Sequence, residues 1–437
     1  MKVVKVIEEI HHGGFGIIHK VETDDGSILA RKTFSPQVPK NFTASEFSKL
    51  KRRFSREVKI QERLPQDLFI PIIFSSLDED IPWFLMPLAD ESYDKEIVRA
   101  KSEKRIPTGL SDILNSLEYL HKLGLVHRDL KPGNVLFQEG RWKLADMGLI
   151  TSDETLTSSF QTSDGAYAGS RDYMAPEQVT NFSGVTHHAD IYSFGAILHD
   201  IFNGRPRIPF KKLTGNGTIG WIISKCTEEA VAKRFNDVKT LRDVLLTQLT
   251  KEEKVISASE DAEQWVKKLG NIDSFSADDL DSLIIYLESA KEAHGIIFME
   301  VTTDLIEKLA EIDRELWKQF LLMYFEWVYN KSFPFDYCDV VVGHLFKAFA
   351  ITTDLEIKAH AALTAAELGR SHNRWYVMQK VITMCSPHIS ENLANRLNIE
   401  IHVEGSQAKE NLRICASRIN LNLNSYHPEI IKAIQAE

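Results

Sequence analysis

Nine consecutive residues restrict this chain more than any other stretch: Val126-His127-Arg128-Asp129-Leu130-Lys131-Pro132-Gly133-Asn134. Asp146-Met147-Gly148 begins twelve residues after Asn134. An Asp or Asn alone in a loop is ordinarily a turn residue; the restriction comes from the ordered set. Upstream of it the chain reads as strands with one helix. Val3–Ile10 is β-rich and ends at Gly13-Gly14. Ile17–Thr23 and Ile28–Phe34 flank Asp24-Asp25-Gly26, a hairpin signal. Thr43 with Glu46 forms a capping box that opens a helix carrying Phe47, Leu50, Phe54, Val58 and Leu64, closed by Pro65. Ile70–Phe74 and Trp83–Leu85 read as short strands. Ile113, Leu114, Leu117, Leu120 and Leu123 form a helical stripe ending at Gly124.

Beyond Val255 nearly everything is amphipathic helix. The periodicity predicts helices at Ala277–Lys291, Thr303–Val328, Asp339–Ile351, Leu355–Gly369, Trp375–Met384 and Asn392–Ile401, with caps at Ser276/Asp279 and Thr353/Glu356. Thr302-Thr303-Asp304-Leu305 recurs as Thr352-Thr353-Asp354-Leu355. A stacked helical repeat is one reading of that recurrence, and chance similarity of a tetrapeptide is the better one. Charge divides at the same place. The 437 residues carry a net charge of −10; residues 251–437 hold 19 basic and 29 acidic side chains, so the first 250 are neutral. Trp265, Trp317, Trp327 and Trp375 suit a packed core in the second part.

Composition also excludes classes. An acidic chain without a basic stripe is a poor nucleic-acid binder. No apolar run reaches the roughly 18 residues of a membrane span. Met1–Ile10 lacks a signal-peptide core. Cys226, Cys338, Cys385 and Cys415 are scattered, which points away from a disulfide framework or zinc site and toward a reduced, cytoplasmic compartment.

The ordered set resembles the eukaryotic-type (Hanks-type) Ser/Thr protein kinase family over roughly residues 1–250. The helical remainder carries no recognised motif. The resemblance implies an α+β bilobal fold followed by an all-α domain, open to reading as a helical repeat. Its parts are an N-lobe at 1–86, a hinge at 87–90, a C-lobe at 91–250 and the helical domain at 251–437. It implies ATP and Mg²⁺, with Mn²⁺ as a substitute, and protein substrates. Asp129 would accept the proton of a substrate hydroxyl, and Lys131 would reach the γ-phosphate. Asn134 and Asp146 would bind the metal through oxygen. Lys32, in Ala30-Arg31-Lys32, would hold the α- and β-phosphates and pair with Glu57. The nucleotide would lie among Ile10, Gly13, Gly14, Phe15, Gly16, Ile18, Ala30, Lys32, Met86, Pro87, Ala89, Asn134, Leu136 and Asp146. Pro87 keeps a carbonyl and Ala89 an N–H for adenine.

The segment from Gly148 to Ala175 is crowded with hydroxyls, among them Thr151, Ser152, Thr155 and Thr157. Arg128 before Asp129 implies a phosphorylated partner there, with Thr162 or Ser163 the leading positions. Lys49, Lys51, Arg52 and Arg53 read either as a solvated face or as further partners of that phosphate. Ser170 would bridge Asp129 and Lys131. Glu177 would pair with Arg234, and Asp190 would anchor the loop backbone. His11 replaces the family's first loop glycine, and Met147 its usual Phe. Gly133 stands where a Glu often directs basic substrates. The expected function is a Ser/Thr protein kinase with loop autophosphorylation and a docking platform for a partner in the acidic helical domain. The alternatives are a pseudokinase or nucleotide-binding scaffold, or a small-molecule kinase.

Overall fold

The computed structural model describes residues 1–13, 16–36, 43–147, 172–180, 184–204, 207–252 and 260–436. It divides into two compact units, Met1–Leu245 and Leu246–Glu437.

The first unit opens with a five-stranded antiparallel sheet. In chain order its strands are β1 (Val3–His12), β2 (Gly16–Thr23), β3 (Ile28–Phe34), β4 (Phe74–Ser76) and β5 (Trp83–Pro87), and in space they run β1-β2-β3-β5-β4. Helix α1 (Ala44–Gln61) packs on it. Thr43 accepts from the Glu46 N–H while Glu46 reaches back to the cap, as the capping box requires. The helix ends at Gln61, short of Leu64 and Pro65. Leu50, Phe54 and Val58 join Ala30, Phe34, Ile70, Phe84, Met86 and Ala145 in one core.

The expected strand Ile70–Phe74 is displaced. Pro71 lacks an N–H, so ladder pairing begins only at Phe74. Ile70 instead donates to the Leu144 carbonyl at 2.9 Å, which ties the sheet to the helical part of the unit.

The helices of that part begin with α2 (Tyr93–Ser102) and α3 (Leu110–Lys122). A small sheet of β6 (Glu91–Ser92), β7 (Val135–Gln138) and β8 (Arg141–Leu144) follows. Helices then run at Pro176–Thr180, His188–Phe202, Gly217–Cys226 and Val238–Glu252. Gly109 precedes α3 at φ 88°, and a Cβ there would lie 2.0 Å from the Trp142 ring, so only glycine fits.

The second unit shows only helices among its described residues, in keeping with the periodicity. At its centre lies Leu355–His372, whose alanine-rich surface packs against Arg314–Tyr329, Cys338–Ile351, Trp375–Met384, Glu391–Glu404 and Ser406–Arg418. Trp317 is buried and donates to the Ile306 carbonyl. The single helix expected over Thr303–Val328 is two, Thr303–Ile312 and Arg314–Tyr329. Asp313 is extended (φ −157°, ψ 123°) and its carboxylate accepts from Glu315 and Leu316 N–H groups, so it caps a second helix.

The cap expected at Thr353 is Asp354, which accepts from Glu356 and Ile357. Thr302 caps the first copy of the recurring tetrapeptide, so the two copies start helices in different registers. Ser276 and Asp279 form the expected capping box. Ser406–Arg418 and Pro428–Gln435 carried no predicted helix. Among the described residues no helix is long and apolar enough to cross a membrane, and the four cysteines are free and buried.

Candidate active site

The loop after α3 is held from below. Asp190, fully buried on helix His188–Phe202, accepts from the backbone N–H groups of His127 (2.9 Å) and Arg128 (2.8 Å). It also meets His121 Nε2 at 2.8 Å. Burial works against its charge, but His121 and these donors hold the carboxyl below the usual range. Gln178 Nε2 donates to the Arg128 carbonyl at 2.8 Å. Together they hold Arg128 at φ 65°, a backbone conformation that costs a branched-free L residue about 1–3 kcal/mol.

Asp129 then faces Lys131 and Asn134. Lys131 Nζ donates to Asp129 Oδ2 at 2.9 Å. Asn134 Nδ2 donates to the same oxygen at 3.0 Å and to the Asp129 carbonyl at 2.8 Å. With its amide nitrogen so committed, Asn134 keeps Oδ1 as an acceptor. Burial disfavours the Lys131 ammonium, yet the Asp129 carboxylate outweighs it and raises the pKa. His127 spans to the second motif: its Nδ1 accepts from the Asp129 N–H (3.3 Å) and its Nε2 meets the Ala145 carbonyl (3.2 Å). That link sets the spacing between Asp129 and Asp146.

Asp146 also has a positive φ, 63°. Its carboxylate, 38% exposed, lies 2.9 Å from Lys32 Nζ. Burial opposes its ionisation, but Lys32 and Lys131 override that and push the pKa down. Glu57, on the buried face of α1, lies 3.4 Å from the same Nζ. Lys32 therefore bridges a helix residue and a loop residue, and its pKa rises despite burial because Asp146 and Glu57 flank it. Glu57 is the weaker partner. Burial pushes its carboxyl up, with Lys32 opposing and Asp146 adding to the rise.

The wall beside this cluster is apolar. Ala30 and Met86 are a cross-strand pair, both buried, and Ile18 and Leu136 pack against the same core. Pro87 ends β5, with Ala89 two residues on; Ile10, 47% exposed, lies beside the His11–Ile18 pair. The β1–β2 turn is closed by Gly13 N–H to the Gly16 carbonyl at 2.9 Å. A Cβ on Gly16 would lie 2.6 Å from the Thr33 carbonyl oxygen, so this position admits only glycine. His11 Nε2 sits 3.5 Å from where a Gly13 Cβ would stand. Gly14, Phe15, Thr162, Ser163 and Ser170 lie outside the described residues.

Arg234 meets Glu177 with both terminal nitrogens (2.6 and 2.8 Å); the resemblance implied the pair, and the structure makes it bidentate. Met147 is buried, 1% exposed. The basic residues of α1 divide between two faces. Arg53 is buried and electrostatically coupled to Arg128. Lys51 and Arg52 turn away from it. Sequence reasoning assigned nothing to His121, the His127 ring or Gln178. His127 stood within the quoted motif; His121 and Gln178 had no local signal.

Asn134 Oδ1 and the ionised Asp146 supply hard oxygen donors, which fit Mg²⁺ or Mn²⁺. Among the described residues no cluster of three or more His, Cys, Asp or Glu is poised to hold a metal by itself.

The protein kinase domain family model matches residues 4–277 and does not extend beyond. "Probable serine/threonine-protein kinase PknB" of Bifidobacterium longum is 30% identical over 156 residues, 35% of this chain and 22% of that protein. Serine/threonine-protein kinase cst-1 of Caenorhabditis briggsae is 29% identical over 211 residues (47% and 40%). Mitogen-activated protein kinase hog1 of Botryotinia fuckeliana is 31% identical over 211 residues (47% and 55%). The chain thus spans between about a fifth and about half the length of these curated relatives.

Proposed function

The chain belongs to the protein kinase family, and on that premise we propose that it transfers the γ-phosphate of ATP to Ser or Thr hydroxyls of proteins. The observation that carries this reading is Lys32, shared between Glu57 (3.4 Å) and Asp146 (2.9 Å) above the Asp129–Lys131–Asn134 cluster. A scaffold that had lost the chemistry would have no need of all five groups.

ATP with Mg²⁺ supplies the phosphoryl group and the neutralising charge. Every other task falls to side chains. Lys32 positions phosphate oxygens, and Glu57 keeps its ammonium aimed. Asp146 and Asn134 Oδ1 offer oxygen ligands, and the Ala30, Met86, Ile18 and Leu136 wall excludes water from the adenine side. Asp129 orients the acceptor hydroxyl and takes its proton at a carboxylate oxygen. Lys131, already 2.9 Å from that carboxylate, offsets the charge building on the transferred group. Arg128 and Arg53 would pair with an activation-segment phosphate at Thr162 or Ser163. The acidic second unit serves as a docking platform for a substrate or partner, in a cytoplasmic setting.

The test is incorporation of labelled phosphate from ATP into the chain and into a general acceptor protein, comparing wild type with Asp129→Ala. Loss of at least about a hundredfold is expected, in the range of a missing general base. Equal incorporation by both proteins would overturn the reading. Phosphopeptide mapping after ATP incubation checks the segment: an unmodified segment in an active enzyme sinks that part alone.

A further inference from the structure

The outer face of α1 carries a second set of groups that phosphoryl transfer does not use. Ser48, Lys51, Arg52, Ser55, Arg56 and Lys59 share one helical face, and with Leu77 they line a cavity of about 570 Å³. Arg52, Arg56 and Lys59 are exposed, and Lys51 is half-buried. Among the described residues none of the four cations is in an ion pair. The helix's own carboxylates are elsewhere: Glu46 caps the N-terminus, and Glu57 points into the core toward Lys32. Four positive charges thus line one concavity without a counter-charge on a chain whose net charge is −10.

We propose that this groove binds a phosphorylated segment of a protein, with two negative groups engaged at once. Two guanidinium forks, Arg52 and Arg56, match phosphate oxygens in a bidentate way, and two phosphoryl groups of about −1.5 to −2 each balance the four cations where two carboxylates would balance only half of them. Lys51 to Lys59 spans about 12 Å along the helix at 1.5 Å per residue. An extended peptide covers that length in three to four residues at about 3.3 Å each. The matching ligand carries anions three or four residues apart, with an apolar side chain to lie on Leu77. A groove of this volume holds a few side chains, not a duplex. The same helix holds Glu57 against Lys32. Occupancy of the outer face therefore bears on the inner pair, a consequence that rests on the kinase reading; the binding itself does not.

The experiment uses the full chain and fluorescence anisotropy with a labelled peptide, pSer-Gly-Ala-pSer-Leu. The unphosphorylated peptide and a single-stranded DNA 12-mer serve as competing probes. Wild type is expected to bind the bis-phosphorylated peptide at least tenfold tighter than the unphosphorylated one. Arg56→Ala/Lys59→Ala is expected to lose at least tenfold, with a smaller salt dependence, while Lys95→Ala, an exposed lysine on α2, stays within twofold. Circular dichroism confirms that each variant is folded. Equal affinity for the two peptides, tighter binding of the DNA, or undiminished binding by the double variant each overturns the proposal. Because no step depends on phosphate transfer, a catalytically dead Asp129→Ala chain must bind the peptide as wild type does. That separates failure of this site from failure of the kinase reading.

Discussion

Replacing Asp190 by Ala tests how the loop around Asp129 is held. The carboxylate is fully buried and accepts from two backbone N–H groups at 2.8 and 2.9 Å and from His121 at 2.8 Å. Removing it leaves two N–H groups in a dry interior, each costing about 1–3 kcal/mol, and deletes a charge-assisted contact besides. The expected loss is about 3–6 kcal/mol, a large part of the roughly 5–15 kcal/mol that holds a domain together. At roughly 2–4 °C per kcal/mol for a unit of this size, the melting temperature falls by about 6–24 °C. Asp190→Asn keeps one acceptor oxygen and should lose about half as much. His121→Ala removes only the third contact and should lose about 1 kcal/mol. Activity should follow the same order, because Arg128 at φ 65° relaxes once its N–H is released. The assay is urea unfolding of the three variants alongside kcat and KM for ATP. An Asp190→Ala chain within about 1 kcal/mol of wild type, with unchanged kcat, would refute the view that this carboxylate holds the loop.

Gly16→Ala forces a Cβ to 2.6 Å from the Thr33 carbonyl, so β2 and β3 must part and KM for ATP should rise at least about tenfold; Gly133→Ala, with nothing within 4 Å, should leave it within about twofold. Burial acts to raise the Glu118 pKa, but Arg242 and Lys122 hold it at about 2 against an ordinary 4.5. Its stabilisation, about 3 kcal/mol, is therefore present above pH 4.5 and lost as pH falls toward 2, and a Glu118→Gln chain should show a flatter stability profile between pH 5 and 3. Arg374→Ala leaves the buried Asp339 carboxylate without its bidentate partner (2.8 and 2.6 Å), and should cost the second unit about 3–5 kcal/mol in urea unfolding.

Much of this molecule was legible in local patterns. Capping boxes at Thr43/Glu46 and Ser276/Asp279 operate over three residues, so the sequence states them outright. The hairpin at Asp24-Asp25-Gly26 is equally local, with Gly26 at φ 83°. Reading failed where two local signals competed. Helical periodicity ran unbroken through Asp313, while the capping power of its carboxylate decided the actual break. At Ile70–Phe74 the apolar run outweighed Pro71 in the reading, yet the missing N–H prevailed in the fold. The two faces of α1 were also beyond the sequence, which grouped Arg53 with Lys51 and Arg52.

By itself the sequence determined the strand-rich start, the helical second part, and the ordered motif that names Lys32, Glu57, Asp129, Asn134 and Asp146. Tertiary structure alone decided which of these groups touch. Lys32 meets Asp146 across 114 residues of chain and Glu57 across 25, and Asp190 meets His121 across 69. Such contacts carry no sequence periodicity. They form because burying the Ala30, Phe54, Val58 and Met86 core brings sheet, helix and loop within reach, and a buried charge must then find its partner there.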